Sequence, residues 1–218
     1  MGKLTVMCNV TLDGVVQAPG RPDEDERGGF THGGWAAPYA GDAMGRLMTG
    51  RSDVPSAMLL GRRTYEDFAA FWPHQDPNPF TDALNATQKY VVSTTLTEPL
   101  PWQNSAVVSG DVVPEIRELK EKRNLILMGS GALVRSLLPH GVIDEFTLLI
   151  HPLVLGSGQR LFGDDGVEAY LTLDGVEGTS TGVIIARYAR ARTASPGLEE
   201  RPRADRSGPG DLRDGDER

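Results

Sequence analysis

NLILMGSGALVRSLL, residues 124–138, is the stretch from which the fold of this chain can be deduced. The run 124–128 is apolar and typical of a buried strand, and the leucines and valines further on recur at helical spacing. Gly129, Ser130 and Gly131 stand between the two. Glycines at a helix N-terminus let backbone N–H groups approach an anion closely, and the helix dipole favours its negative charge. The stretch therefore predicts either a phosphate-binding turn or a turn whose glycines serve geometry alone.

A second stretch of the same design is LLGRRTYEDF (59–68), in which a predicted strand ends in a glycine and two arginines. Thr64 is predicted to be the N-cap of the helix that follows. A guanidinium group binds phosphate in a bidentate manner, so Arg62 and Arg63 at a strand end favour a nucleotide phosphate nearby. The alternative is a pair of solvated arginines.

Strands and helices alternate along most of the chain on either side of these stretches. The alternation predicts one α/β domain over residues 1–190, with a mainly parallel central sheet and antiparallel edge strands at its end. Residues 72–88 are predicted to be irregular, and residues 191–218, dense in charge, Gly and Pro, to form a disordered tail. The predicted strands are 3–10, 56–60, 89–93, 105–109, 124–128, 144–155, 168–173 and 181–188, and the predicted helices are 42–49, 64–71, 113–122 and the one after Gly131.

Composition narrows the classes of function. With 218 residues and a formal net charge of −8, the chain is acidic, which disfavours binding to nucleic acid. Cys8 is alone, so an internal disulfide and a thiolate metal cluster are excluded. No apolar run approaches the roughly 18 residues of a membrane span, and the start of the chain lacks the apolar core of a signal peptide. We expect a cytoplasmic protein with no membrane and no metal site. The four scattered histidines, interpreted as structural or solvated, are His32, His74, His140 and His151.

The segment 17–41 is too long for an ordinary connection and is rich in Gly, Pro and charge. It predicts a functional lid or a disordered insertion. Asp42 follows it as a candidate helix N-cap. Asp13 and Gly14 form a turn signal after the first strand, where a G-x-G-x-x-G motif is absent, so a conventional Rossmann dehydrogenase is disfavoured.

The order of the motifs resembles that of a known family. The segments concerned are 9–14, 61–65, 91–94, 129–131, 141–145 and 152–158, and the most specific stretch is GVIDEFTLLIHPLVLGSGQRLF (141–162). In this order they resemble the dihydrofolate-reductase-like proteins, and most closely the RibD C-terminal domain, the reductase domain of bacterial riboflavin biosynthesis. The resemblance covers about residues 3–188 and includes no fused deaminase.

The resemblance implies a dihydrofolate-reductase-like three-layer sandwich, a homodimer and an NADPH-dependent reductase. Its substrate would be a pyrimidine- or pteridine-like heterocycle, with 5-amino-6-(5-phosphoribosylamino)uracil reductase-like activity. Two alternatives stay open, namely a dihydrofolate-type C=N reductase and a nucleotide- or ligand-binding protein without turnover.

The resemblance also implies roles for individual residues. The residues carried over to cofactor binding are Gly61, Arg62, Arg63 and Thr64 near the adenosine phosphates, Ser93 and Thr94 on the adenosine side, Gly129, Ser130, Gly131, Ala132 and Leu133 at the pyrophosphate, and Asn9 to Val16 beside the nicotinamide. Trp35 and Tyr39 are candidates to stack on a heterocyclic substrate, although packing against the core is the alternative. Asp42 and Asp13 are the candidate catalytic acids, with helix capping and turn formation as the respective alternatives.

Overall fold

The computed structural model describes residues 1–41, 56–163 and 167–191. Eight strands in these ranges form one sheet in the order β4-β3-β2-β5-β1-β6-β8-β7. The strands are β1 (Leu4–Thr11), β2 (Ser56–Gly61), β3 (Lys89–Val92), β4 (Ser105–Val108), β5 (Asn124–Met128), β6 (Glu145–His151), β7 (Leu171–Gly178) and β8 (Ile184–Arg190), and the helices are α1 (Arg62–Phe71), α2 (Pro79–Ala86), α3 (Val112–Lys122) and α4 (Gly131–Leu137).

The sheet is mainly parallel. The five pairings that lead from β4 through β3, β2, β5 and β1 to β6 are all parallel. At the other edge, β8 pairs antiparallel with both β6 and β7. The predicted α/β class with antiparallel edge strands is therefore confirmed. None of the helices in the described ranges is long and apolar enough to cross a membrane.

Helices cover the parallel strands on both faces. In β2, Ala57 and Leu59 belong to the apolar cluster that includes α3 and α4, whereas Met58 and Leu60 belong to the cluster that includes α1 and α2. A strand buried on both faces is apolar throughout, without the alternation of apolar and polar residues that a half-buried strand shows. For this reason the apolar run 56–60 correctly predicts a buried strand. The result is the three-layer sandwich that the resemblance implies.

The connections that leave β2 and β5 diverge. From β2 the chain passes through α1 to β3, on one side, whereas from β5 it passes through α4 to β6, on the other side. Because β2 and β5 are neighbours, a crevice opens between the carboxyl ends of these two strands. Open α/β sheets bind ligands at such a point.

Several predicted boundaries are wrong. Helix α1 begins at Arg62 rather than at Thr64, with Gly61 as its N-cap (φ −75°, ψ 157°). Strand β6 ends at His151 instead of residue 155, just before Pro152, which cannot donate to a sheet ladder.

The edge hairpin and one helix also differ from prediction. Strands β7 and β8 lie about three residues later than predicted at their starts, and β7 carries a register shift between Leu173 and Gly175 that interrupts its alternation. Helix α2 lies in the stretch predicted to be irregular, where Asn78 and Thr81 form a reciprocal capping box. The predicted helix 42–49 and the tail beyond residue 191 lie outside the described residues.

Candidate functional site

One serine joins the two strand–helix turns at the crevice. The Gly61 N–H donates to the Ser130 hydroxyl oxygen at 2.9 Å, and that hydroxyl donates to the Thr64 hydroxyl oxygen at 2.8 Å. On the other side of β5, the Gly129 N–H donates to the Met7 carbonyl of β1 at 3.2 Å. The predicted cofactor residues on β2 and β5 thus form a single unit at the carboxyl edge of the sheet.

Two glycines of this unit allow neighbouring side chains to approach the backbone closely. A Cβ added to Gly131 would lie 3.0 Å from the Val16 side chain, and one added to Gly61 would lie 3.3 Å from the Ser130 hydroxyl. Gly129 has φ +58°, in the left-handed region. Val16 therefore packs closely against Gly131. Leu133 differs, because its side chain is buried in the hydrophobic core.

Exposed arginines lie on the β2 side of the crevice. The Arg62 guanidinium donates to the Thr95 hydroxyl at 2.7 Å and lies 3.3 Å from the Glu66 carboxylate. Arg63 is exposed beside it. Ser93 is buried and accepts hydrogen bonds from the backbone N–H groups of Thr95 and Leu96, and Thr95 is the residue that contacts Arg62. The ends of β2 and β3 are thereby linked.

Two further arginines lie on the β1 side. The Arg135 guanidinium donates to the Arg160 carbonyl oxygen, and the Arg160 side chain donates to the Asp13 carbonyl oxygen at 2.9 Å. An Arg135 nitrogen lies 3.4 Å from the place of a Cβ on Gly131. The sequence reasoning missed Arg135, whose signal is its position one helical turn after Gly131. In an acidic chain, arginines on both sides of a glycine turn make this edge suitable for an anion.

Asp13 holds the turn after β6. Its carboxylate accepts hydrogen bonds from the Thr11 hydroxyl at 2.6 Å and from the N–H groups of Leu155 (3.2 Å) and Gly156 (2.8 Å). The Thr11 hydrogen bond lowers the pKa of this carboxyl group. A carboxylate held in its charged form is a poor proton donor, so the geometry fits turn formation. Asp42, the other candidate acid, lies outside the described residues.

A partly buried pair, Asn9 and His151, lies near the carboxyl ends of β1 and β6. His151 is 2% exposed, and its Nε2 lies 2.9 Å from the Asn9 side-chain oxygen. The rings of Trp35 and Tyr39 meet the imidazole edge to face, with centroids 5.1 and 5.4 Å away. Burial lowers the pKa of His151 to about 4, so the ring is neutral near pH 7.

The segment 17–41, called the cover below, is folded. The buried Gln17 side chain donates to the carbonyl oxygens of Asp25 and Arg27 and accepts from the Gln159 N–H. The Trp35 indole N–H donates to the Gln17 carbonyl oxygen at 2.7 Å. Trp35 is 7% exposed, which favours its packing role over stacking on a substrate, whereas Tyr39 is half-buried.

The described residues contain no cluster of three or more His, Cys, Asp or Glu side chains that could hold a metal ion. The groups that the site offers to a ligand are its arginines, its glycine turn and the Asn9–His151 pair.

Comparison with known proteins gives one family and one curated relative. The family model of the RibD C-terminal domain matches residues 2–185. The uncharacterized protein YyaP of Bacillus subtilis (strain 168) is 29% identical over 138 residues, which are 60% of this chain and 72% of the relative.

Three solved structures share the fold. A putative riboflavin biosynthesis protein from Shewanella sp. PV-4 has a TM-score of 0.62 at 22% identity, covering 87% of this chain and 99% of the other. A pyrimidine reductase-like protein from Corynebacterium diphtheriae has a TM-score of 0.58 at 14% identity, covering 88% and 93%. Dihydrofolate reductase from Enterococcus faecalis, crystallised with NADP(H), has a TM-score of 0.51 at 16% identity, covering 87% and 96%. The chain therefore has a dihydrofolate-reductase-like fold.

Proposed function

Because the chain belongs to the RibD C-terminal domain family, we propose that it is a reductase that uses NADPH to reduce a pyrimidine- or pteridine-like heterocycle. The observation that carries this proposal is the Ser130 link between two strand–helix turns, which stands at the switch point of the sheet and is flanked by arginines. A dinucleotide phosphate needs open backbone N–H groups and positive charge at one place.

The residues present fit the cofactor. Gly129, Ser130 and Gly131 would hold the pyrophosphate, because they stand at the N-terminus of α4, where backbone N–H groups have no partners within the helix. Arg62 and Arg63 would hold the 2′-phosphate, which distinguishes NADPH from NADH. When bound, the cofactor supplies a hydride at its nicotinamide ring.

The chain's own contribution is positioning and exclusion of water. Asn9 and Val16 would lie on the nicotinamide side, and the cover formed by segment 17–41 would separate the reacting atoms from bulk solvent. Asp42 is proposed as the acid that supplies a proton to the reduced heterocycle. Association into a homodimer is part of the same proposal.

Titration with NADPH and NADH, followed by nicotinamide fluorescence, tests the cofactor assignment. We expect NADPH to bind more tightly, and an Arg62→Ala, Arg63→Ala double variant to raise the Kd for NADPH roughly 10- to 100-fold, because hydrogen bonds between charged groups contribute about 1.5–3 kcal/mol. The Kd for NADH should change little. Arg117→Ala, an exposed arginine on α3, is the matched control.

Failure of the wild-type protein to bind either nucleotide would exclude the reductase proposal. Binding followed by turnover of a phosphoribosylaminouracil supports the proposed substrate class. Turnover of dihydrofolate alone would favour the dihydrofolate-type reaction instead, and binding of NADPH with no oxidation across both substrates would favour a binding protein.

A further inference from the structure

His151 is a buried polar side chain whose second ring nitrogen is unexplained. Nε2 contacts the Asn9 amide oxygen at 2.9 Å, but Nδ1 is buried and has no hydrogen-bond partner among the residues that the structure describes. A buried polar atom without a partner costs free energy, and most native proteins avoid one. Packing alone therefore does not explain why a histidine occupies position 151.

The contact fixes the protonation of the ring. An amide oxygen can only accept, so the His151 Nε2 carries the proton and Nδ1 is a bare lone pair. Rotating the Asn9 amide by 180° would place its N–H₂ group against Nε2 and move the ring proton to Nδ1, where a donor would be buried without an acceptor. Orphaned buried N–H groups are rarer than under-satisfied acceptors, so the observed orientation is the stable one.

The imidazole ring is held on two sides. The Trp35 ring meets it at an interplanar angle of 89° and the Tyr39 ring at 81°. Trp35 is itself anchored by its hydrogen bond to Gln17, at the start of the cover. The ring cannot turn without moving the cover, and the orientation of the Asn9 amide is fixed with it.

Asn9 stands at the level of the glycine turn. In the parallel pairing of β1 with β5, Met7 lies opposite Met128, so Asn9 is two residues further toward the carboxyl edge, beside the turn at residues 129–131. With its oxygen turned toward β6 and His151, the amide presents its two N–H donors away from β6. The carboxamide of nicotinamide carries a carbonyl oxygen that accepts such donors.

We propose that His151 is a positioning residue, which acts through Asn9 to orient an amide donor toward the nicotinamide half of bound NADPH. This inference rests on the proposed function and deepens it, because it assigns the cover a role in cofactor geometry. Trp35 and Tyr39 of the cover each contact His151, and His151 acts on the cofactor through Asn9.

The test compares two probes, NADPH and adenosine 2′,5′-bisphosphate, which lacks the nicotinamide half. His151→Phe keeps a ring between Trp35 and Tyr39 but removes the donor. We expect it to raise the Kd for NADPH roughly 5- to 10-fold, as for the loss of one neutral hydrogen bond, and to leave the Kd for adenosine 2′,5′-bisphosphate within about twofold. His151→Gln, which restores a donor near the Nε2 position, should recover most of the loss. In an Asn9→Ala background, His151→Phe should have less than about a twofold effect.

The outcomes separate this inference from the proposed function. If the wild-type protein binds neither probe, the proposed function fails and this role fails with it. If it binds both, and His151→Phe weakens both equally or neither, the cofactor assignment stands and the positioning role is excluded. If His151→Phe does not fold, nuclear magnetic resonance spectra of the isotope-labelled wild-type protein test the positioning role instead. We expect Nε2-protonated His151 at pH 7 and Asn9 amide resonances that shift with NADPH but not with adenosine 2′,5′-bisphosphate, and unshifted resonances would overturn the proposal.

Discussion

Ser130 adopts a backbone conformation that is unusual for its residue type. With φ 50° and ψ 49° it lies in the left-handed region, which costs an L-residue other than glycine about 1–2 kcal/mol. Its hydroxyl accepts from the Gly61 N–H and donates to Thr64, contacts that a glycine would not make. The strain is therefore offset by the link between β2 and β5 that forms the floor of the crevice.

Substitutions at Ser130 should separate these two effects. Ser130→Ala keeps the strain and leaves the Gly61 N–H without its acceptor, so we expect a loss of about 1–3 kcal/mol in the free energy of unfolding. Ser130→Gly also loses the hydroxyl but relieves the strain, and should lose about 1 kcal/mol less. Urea denaturation of the three proteins measures both differences. Equal stability of Ser130→Ala and wild type would mean that the link contributes nothing.

At the scale of elements, the segment 17–41, which follows β1 in the chain, contacts α1. Arg21 forms an ion pair with Asp67 of α1, and its guanidinium lies 4.4 Å from the centre of the Phe71 ring. Glu24 accepts hydrogen bonds from the N–H groups of Gly20 and Arg21, which shapes the chain around this contact. The ion pair is largely shielded from solvent, with 28% and 18% of the two side chains exposed. It fastens the cover to the helix that carries Arg62.

Removing this contact should loosen the cover without unfolding the sheet. In Arg21→Ala, the partly buried Asp67 carboxylate loses its partner, and we expect hydrogen exchange over residues 17–41 to become roughly 10-fold faster. Arg27→Ala is the matched control, because Arg27 pairs with Asp25 inside the same segment and not with α1. Hydrogen-exchange mass spectrometry measures the two variants, and equal protection in both would contradict a fastening role for Arg21.

The same elements show which features of the fold and of the candidate site can be predicted from the sequence. The apolar runs of β2 and β5 and the glycine turns after them are local signals, and they led to the correct class of sheet and to residues that meet at the crevice. The Asn9–His151 pair was missed because its members are 142 residues apart and a lone histidine carries no local signal. The start of α1 was misplaced because Thr64 is a good N-cap by type, whereas its hydroxyl instead contacts Ser130 across the crevice.

For the whole molecule, the buried His151 side chain makes the free energy of unfolding depend on pH. Burial lowers the pKa of His151 from 6.5 to about 4, so between these values the unfolded chain binds more protons than the folded one. Stability therefore rises with pH across this window and falls as the solution is acidified. Glu24 and Asp67 oppose this trend in part, because burial raises the pKa of both carboxyl groups.

A comparison of variants isolates the histidine. The wild-type protein should lose up to about 3 kcal/mol through His151 between pH 7 and pH 4, and His151→Gln should lack that part of the loss. Urea denaturation of both proteins at several pH values in this range measures the difference. Identical pH profiles would show that the histidine does not titrate between these states.

The position of β5 in the sheet has a consequence for how the protein is made. Strands β1 and β2 emerge from the ribosome first, but in the finished sheet they are separated by β5, which follows β4 in the chain. The crevice between β2 and β5 therefore exists only once residues 124–128 have taken their place between β2 and β1. A ligand that binds in the crevice therefore stabilises only chains in which β5 has joined the sheet, and its binding would report that step of assembly.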